Sequence, residues 1–172
     1  MIITDRLWLI PCSPAHFRAL RDGEAMLAAM LGVAPAEGWL GFEPARQAMH
    51  LGGDHLRAFP RDEGWWTWLF LHRADRALIG LGGYMGRPGE DGVAEIGYAL
   101  APGYQGQGLA TEAARGMAAH AFAHPAVTEV RAHTLPGPNS STAVLERLGM
   151  VFIGEVEDPE DGLIWRWAMG RP

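Results

Sequence analysis

The spacing of the apolar residues changes abruptly at Pro102-Gly103. Before that point, turn-forming residues separate three short aliphatic and aromatic runs, which cover 65–72, 77–85 and 93–100. Runs of this kind are typical of consecutive β-strands, which pair most simply as an antiparallel meander. After it, apolar residues recur every fourth position, at Leu109, Ala113, Met117 and Ala121. This spacing predicts an α-helix with one buried side, so the meander leads through a loop into a helix.

The rest of the chain also alternates between strand and helix patterns. We expect further strands at 4–10, 127–135, 150–156 and 163–169, and further helices at 14–20, 44–58 and 141–148. The chain has no internal repeat and no low-complexity linker, and its 48% of hydrophobic residues is typical of an ordinary globular protein. The prediction is a single domain over residues 1–172, of mixed α/β class.

A glycine-rich loop, 101–111, joins the third strand to the helix and reads Ala-Pro-Gly-Tyr-Gln-Gly-Gln-Gly-Leu-Ala-Thr. A helix N-terminus presents unpaired N–H groups and partial positive charge, which together suit a phosphate. Gly106 and Gly108 allow a close backbone approach, and Thr111 adds a hydroxyl donor. A nucleoside-triphosphate loop would need a lysine here, and a dinucleotide loop would need glycine in place of Thr111. From the loop alone, a phosphate site and a turn that needs glycine for its dihedral angles are equally good interpretations.

Composition narrows the class of protein. The formal net charge of -6 argues against a nucleic-acid binder, which would carry a basic excess. The single cysteine, Cys12, excludes an intramolecular disulfide and a four-cysteine zinc site, and it favours a reducing compartment. We see no secretory signal and no apolar run long enough to span a bilayer. We therefore expect a cytoplasmic protein that binds neither nucleic acid nor membrane.

Several blocks of the sequence carry a family resemblance. Gln105–Ala110, Gln-Gly-Gln-Gly-Leu-Ala, matches the Gln/Arg-x-x-Gly-x-Gly/Ala signature, and the chain resembles the GNAT N-acetyltransferase superfamily. The segments 4–7, 95–98 and 134–149 are similar to its branch related to the ribosomal-protein N-terminal (alanine) acetyltransferases. The chain departs from many relatives in one block: Asn139 lies two residues before Ser141 instead of three.

The resemblance implies a fold and a ligand. The fold would be a mixed, mostly antiparallel sheet with flanking helices, splayed where coenzyme A binds, and the cosubstrate would be acetyl-coenzyme A without a metal. The pantetheine arm would bond to the backbone of Tyr98, Ala99 and Leu100. The pyrophosphate would be held by the amides of Gln105, Gly106, Gln107, Gly108, Leu109, Ala110 and Thr111. Asn139 and Ser141 would lie near the arm and the thiol.

Acetyl transfer to an amine needs two proton movements, because the amine is largely protonated at neutral pH and a thiol leaves more easily when protonated. Glu95 is the candidate base, directly or through water, with a solvated glutamate as the equal alternative. Ser141 is the candidate donor to the sulfur, with a helix N-cap as a competing role. His133 either faces the substrate or forms a surface pair.

The acceptor has no recognisable signature in the sequence. The expectation from the resemblance is a primary amine of a small molecule or of a protein N-terminus, bound by a monomer or homodimer whose pocket is shaped by 22–39 and 86–92. The alternatives are a non-catalytic acyl-coenzyme A-binding or regulatory module on the same fold, and a different phosphate-bearing ligand in the same loop.

Overall fold

The computed structural model describes residues 1–159 and 161–172, which contain nine strands and five α-helices. The strands are β1 (Ile2–Ile3), β2 (Leu7–Pro11), β3 (Ala34–Pro35), β4 (Thr67–His72), β5 (Ala77–Tyr84), β6 (Val93–Leu100), β7 (Glu129–Thr134), β8 (Val151–Asp158) and β9 (Gly162–Gly170). The helices are α1 (Pro14–Arg21), α2 (Glu24–Leu31), α3 (Glu43–Ala58), α4 (Leu109–Phe122) and α5 (Ser140–Leu148). None of the helices in these residues is long and apolar enough to cross a membrane.

The strands form one sheet in the order β1-β2-β4-β5-β6-β7-β9-β8, with β3 added beside β5. Every neighbouring pair along this order is antiparallel except β6 and β7, and β3 is also parallel to β5. The predicted meander is therefore confirmed as β4-β5-β6. The predicted class, a mixed and mostly antiparallel sheet with flanking helices, is confirmed as well.

The one parallel contact along that order is short, and it divides the sheet. β6 pairs with β7 only where 93–95 lie beside 129–131. From Ile96 onward, β6 stays with β5 as far as Leu100, whereas β7 continues beside β9 as far as Thr134. The two strands therefore diverge, and we call the opening between 96–100 and 132–134 the strand cleft. The predicted splay is present at this position.

The two faces of the sheet are covered unequally. α4 and α5 pack on one face, over a core that draws residues from both ends of the sheet, such as Leu9, Ile96 and Trp167. On the other face, the core under α1, α2 and α3 draws on β2, β4 and β5 and, among the described residues, takes none from β7 or β9. The second face of β6, β7 and β9 consequently carries partly exposed polar side chains.

One helix differs from the sequence expectation, and a second confirms it. α2 was not predicted, because Glu24–Leu31 reads Glu-Ala-Met-Leu-Ala-Ala-Met-Leu, which has almost no polar side to mark a helical period. The helix predicted at 44–58 is confirmed as α3, which runs unbroken through Gly52 and Gly53, where it packs closely against its neighbours. A Cβ on Gly52 would lie 2.5 Å from the Thr67 hydroxyl, and one on Gly53 would lie 3.2 Å from the ring of Phe17. Glycine is required at Gly52 for this close approach, although it lowers helix propensity.

Candidate active site

The strand cleft exposes unpaired backbone groups along one edge of β6. Odd-numbered residues of β6 bond to β5, since the Glu95 carbonyl accepts from Met85 N at 3.1 Å and Ala101 N donates to the Ile79 carbonyl at 2.7 Å. Main-chain groups alternate along a strand, so both main-chain groups of Tyr98 and the N–H of Leu100 point into the cleft, whereas the Leu100 carbonyl accepts a hydrogen bond from the Gln105 side chain at 2.9 Å. The edge is thus able to pair with an extended, amide-containing molecule. Ala99 was predicted to contribute as well, but its main-chain groups face β5.

The glycine loop owes its shape to two left-handed residues. Gly106 has a φ of 72° and Gly108 a φ of 78°, and α4 begins directly after Gly108. Such angles favour glycine strongly, so the dihedral explanation of these glycines is correct. The side chains of Gln105 and Gln107 brace the loop, because their amide groups donate to the carbonyls of Leu100 and Gly103, both at 2.9 Å.

The same loop leaves a continuous series of free donors. In the described parts of the chain, no protein acceptor faces the backbone N–H groups of 106–111. The backbone N–H of Gln105 precedes this series and donates to the Pro102 carbonyl at 3.2 Å. The backbone N–H of Glu112 follows it and donates to the Gly108 carbonyl at 3.0 Å. The Thr111 hydroxyl is buried and also lacks a partner. Free amides at a helix N-terminus fit a phosphate group, so the residues present suit the pyrophosphate of coenzyme A.

An ion pair that the sequence did not reveal fixes the start of α4. Glu112 accepts hydrogen bonds from the Thr4 hydroxyl at 2.6 Å and from the Arg6 amide at 2.7 Å, and the Arg6 guanidinium lies 2.7 Å from its other oxygen. Arg6 also donates to the Gln107 carbonyl at 2.9 Å. Burial raises the pKa of Glu112, but these hydrogen bonds and the Arg6 charge outweigh it and the net pKa is lowered. The opening Thr4-Asp5-Arg6-Leu7 block was the available signal for this anchor.

Glu95 lies at the closed end of the strand cleft. It is opposite Arg131, on the last paired rung between β6 and β7, and its side chain points away from the face that buries Ile96. Its Oε1 lies 2.7 Å from Nδ1 of His133, and the two side chains are 33% and 26% exposed. Of the two possibilities for His133, the cross-strand pair is observed.

A cavity of about 590 Å³ opens beside this pair, on the face that the helices leave uncovered. Glu95 and His133 both line it. Its other charged lining residues are Arg87, Asp91, Arg131, Glu157, Asp158 and Arg166. Of the two segments expected to shape an acceptor pocket, 86–92 contributes to this cavity and 22–39 does not. The cavity gives an amine access to Glu95 from the face opposite α4.

The start of α5 corrects one prediction. Asn139, not Ser141, is the N-cap, and its side-chain oxygen accepts from the amides of Ser141 at 2.9 Å and Thr142 at 3.0 Å. The prediction of a Ser141 cap is wrong because the helix begins one residue earlier, at Ser140. Asn139 also donates to the carbonyls of Leu135 and Gly137, both at 3.0 Å, so its side chain is fully engaged by the protein.

The Ser141 hydroxyl is left available by this arrangement. The side chain is half-buried, and its oxygen makes no hydrogen bond with any residue that the structure describes. A free hydroxyl in the first turn of a helix is able to donate to a ligand. Of the two residues predicted near the thiol, Ser141 is therefore the one with an unused polar group.

Comparison with known proteins agrees with this geometry. Residues 6–151 match the family model described as "Acetyltransferase (GNAT) domain". The Uncharacterized N-acetyltransferase YjdG of Bacillus subtilis (strain 168) is 27% identical over 90 residues, which are 52% of this chain and 54% of that protein. The match therefore spans about half the length of the curated relative.

Two solved structures illustrate the shared fold. The RimL ribosomal L7/L12 alpha-N-protein acetyltransferase in complex with coenzyme A has a TM-score of 0.68 at 17% identity, over 98% of this chain and 96% of that one. An acetyltransferase of the GNAT family from Bacillus anthracis has a TM-score of 0.66 at 17% identity, over 99% and 98% of the two chains. At these identities the likeness concerns the fold.

Proposed function

Because the chain belongs to the GNAT acetyltransferase family, we propose that it is an acetyl-coenzyme A-dependent N-acetyltransferase, with residues 1–172 as its single catalytic domain. The observation that carries this proposal is the row of free amides from Gly106 to Thr111, placed beside a sheet that opens along β6. We assign the protein to the cytoplasm, where acetyl-coenzyme A is available to it.

In this proposal the coenzyme lies along the backbone groups of the site that have no hydrogen-bond partner in the described chain. Its pyrophosphate binds the amides of 106–111; the Thr111 hydroxyl behind them is buried and has no hydrogen-bond partner among the described residues. Its pantetheine arm pairs with the main-chain groups of Tyr98 and with the N–H of Leu100, in the place a neighbouring strand would take. These contacts direct the thioester toward the closed end of the strand cleft, where Glu95 lies.

Bound acetyl-coenzyme A supplies an acetyl group activated as a thioester. Glu95 takes the proton that the acceptor amine loses as its nitrogen bonds to the acetyl carbon. The His133 ring, 2.7 Å from Glu95, orients this carboxylate and shares the proton. Ser141 gives a proton to the sulfur as the carbon–sulfur bond breaks. For an acceptor that reacts as the unprotonated amine, one proton leaves the nitrogen and one reaches the sulfur. Glu95 then releases its proton to solvent and Ser141 regains one from solvent, so both side chains return to their starting states.

The acceptor is a primary amine of a small molecule or of a protein N-terminus, and it approaches through the cavity beside Glu95. A non-catalytic coenzyme-binding module would use the same loop and cleft. The Glu95–His133 pair favours an enzyme over such a module, because it lies at the end of the cleft and faces open space.

Two measurements test this function. Calorimetry with acetyl-coenzyme A should show one binding site per chain, and nucleoside triphosphates and dinucleotides should not compete for it. Thiol release should then depend on an added amine from a panel of amino acids, polyamines, aminoglycosides and peptides, and mass spectrometry should detect the acetylated amine. Binding without amine-dependent thiol release from any panel member would contradict the enzyme and leave the binding module. Absence of binding would contradict both.

A further inference from the structure

The cavity beside Glu95 contains an arginine, Arg166, that has no ion-pair partner among the residues that the structure describes. Arg87 pairs with Asp62, and Arg131 pairs with Glu129. Arg166 lines the same cavity and is half-buried, yet it makes no ion pair and no hydrogen bond with any residue in 1–159 or 161–172. A partly buried guanidinium without an anion is costly, whereas a carboxylate or phosphate would satisfy its fork of donors.

The register of the sheet places Arg166 beside the proposed base. His133 of β7 and Arg166 of β9 are direct cross-strand partners, so their side chains share a face. Side chains in such pairs have Cβ atoms about 5 Å apart. Because His133 also contacts Glu95, the carboxylate, the imidazole and the free guanidinium form a row along the cavity wall.

None of the described acidic residues that line the cavity forms an ion pair with Arg166. Glu157 is exposed at the rim and lies opposite Leu163 of β9, not opposite Arg166. Across β8, Arg166 is paired with Gly154, which has no side chain to contribute. The cavity wall thus carries the Glu95 carboxylate, which can bind an amine, and near it the Arg166 guanidinium, which can bind an anion.

We propose that the acceptor carries an anionic group, a carboxylate or a phosphate, a short spacer away from its amine, and that Arg166 binds that group. This inference rests on the proposed N-acetyltransferase function and narrows its substrate class to amino-acid-like amines. Arg166 acts as a specificity residue: it holds the anion so that the amine faces Glu95, and it takes no part in the proton transfers.

Matched acceptors test the inference directly. Three pairs are compared: glycine and glycinamide, phosphoethanolamine and ethanolamine, and two peptides that differ only in having aspartate or asparagine at the N-terminus. Each kcat/KM is calculated from the concentration of the unprotonated amine. We expect wild-type kcat/KM to favour the anionic member of at least one pair by about tenfold or more, the scale of a charge-assisted bidentate contact. The pair that shows the preference identifies the source of the anion.

Two variants and a control complete the experiment. Arg166→Gln should lose about tenfold or more on the anionic acceptor and stay within about twofold on the neutral one, and Arg166→Lys should be intermediate. Arg21→Gln removes the same charge from an exposed position on α1 and should behave as wild type. Equal losses on both members of a pair, or a wild-type preference for the neutral member, would overturn the inference. If Arg166→Gln does not fold, Arg166→Lys decides on the same criteria.

A binding measurement separates this inference from the proposed function. Calorimetry with glycine and phosphoethanolamine, on protein saturated with coenzyme A, does not depend on turnover. Binding to the wild type that is lost in Arg166→Gln would support the anion site even if no amine were acetylated, in which case only the proposed function fails. Binding to neither protein would overturn the inference.

Discussion

Glu95 lies on the rung of β6 from which a side chain reaches both the end of the strand cleft and the cavity. One residue further along, at Ile96, the side chain points into the core under α4. The previous residue on the same face, Val93, lies within the paired segment and has no acid–base group. The contact with His133 adds a second proton-accepting group at 2.7 Å. The proposed acid–base chemistry therefore depends on this one position.

Replacing Glu95 tests that assignment. Glu95→Gln keeps the shape of the side chain but removes the base, so kcat should fall by about a hundredfold or more while the Kd for acetyl-coenzyme A changes little. Steady-state thiol release and calorimetry measure the two quantities. Glu146→Gln, an exposed carboxylate on α5, is the matched control and should leave both unchanged. Wild-type turnover in Glu95→Gln would remove this residue from the mechanism.

The lowered pKa of Glu112 predicts how the free energy of unfolding depends on pH. Its pKa in the folded protein is below the unfolded value of 4.5, so its contribution is complete above that value and is lost as the pH falls through the folded pKa. Glu112→Gln should lower the free energy of unfolding at neutral pH by about 1 to 2 kcal/mol, the scale of charged hydrogen bonds.

The pH dependence of that difference is the sharper test. Urea titrations of wild type and variant should differ at pH 7, begin to converge below the unfolded value of 4.5, and converge fully only below the folded pKa, where the carboxylate is protonated in the native protein as well. A difference that is the same at neutral and acid pH would show that the ion pair with Arg6 is not its source.

The elements around the site were predictable to different degrees. The bounds of β6, Val93–Leu100, equal the prediction, because a polar loop precedes the strand and Pro102 follows it. β4 begins at Thr67 instead of Trp65, since an aromatic run does not show where pairing starts. The start of α5 was misplaced because Asn139 and the serines that follow it are all good N-caps, and only the backbone angles decide among them.

Contacts between residues far apart in the chain could not be predicted from the sequence. The free amides of the loop followed from the glycines and the helix period, which are local features. The Arg6–Glu112 pair joins residues 106 positions apart, and the Glu95–His133 pair joins residues 38 apart. The His133–Arg166 register depends in the same way on strand pairing that no local pattern encodes.

The loop itself gives a prediction with a close internal control. Gly106 and Gly149 both have left-handed angles, φ 72° and 89°, and nothing lies within 4 Å of a Cβ placed on either. Alanine at each position should cost about 1 kcal/mol of stability. Only Gly106→Ala should also weaken acetyl-coenzyme A binding, by roughly tenfold, because it shifts amides that hold the phosphates. Calorimetry on both variants makes the comparison, and equal affinities would argue against a coenzyme site at this loop.

At the scale of the whole molecule, the site exists because β6 has two different partners. Its residues 96–100 pair with β5, and its first three residues, 93–95, pair with β7, so the sheet opens only beyond Glu95. Helices cover both faces of the β2–β4–β5 half but only one face of the β7–β9 half. The coenzyme and the acceptor can therefore reach Glu95 from different sides.

A network of ion pairs outside the strand cleft holds the loop at 86–92, which lines the cavity. Arg87, on the loop that lines the cavity, lies 2.5 Å from Asp62, and Asp62 lies 2.7 Å from His55 of α3. The hydrogen bond from His55, followed by that from Arg87, lowers the pKa of Asp62. The loop at 86–92 is thus tied to α3, which helps to keep the cavity open beside Glu95.

Amide hydrogen exchange with and without acetyl-coenzyme A tests the central claim most directly, because the claim concerns backbone N–H groups that lack partners. The amides of 106–111, and those of Tyr98 and Leu100 in the strand cleft, should exchange rapidly in the free protein and slow markedly when the coenzyme is added. The amides of α3 should change little. Unchanged exchange in the loop and the cleft at saturating coenzyme, or protection confined to another surface, would contradict the account.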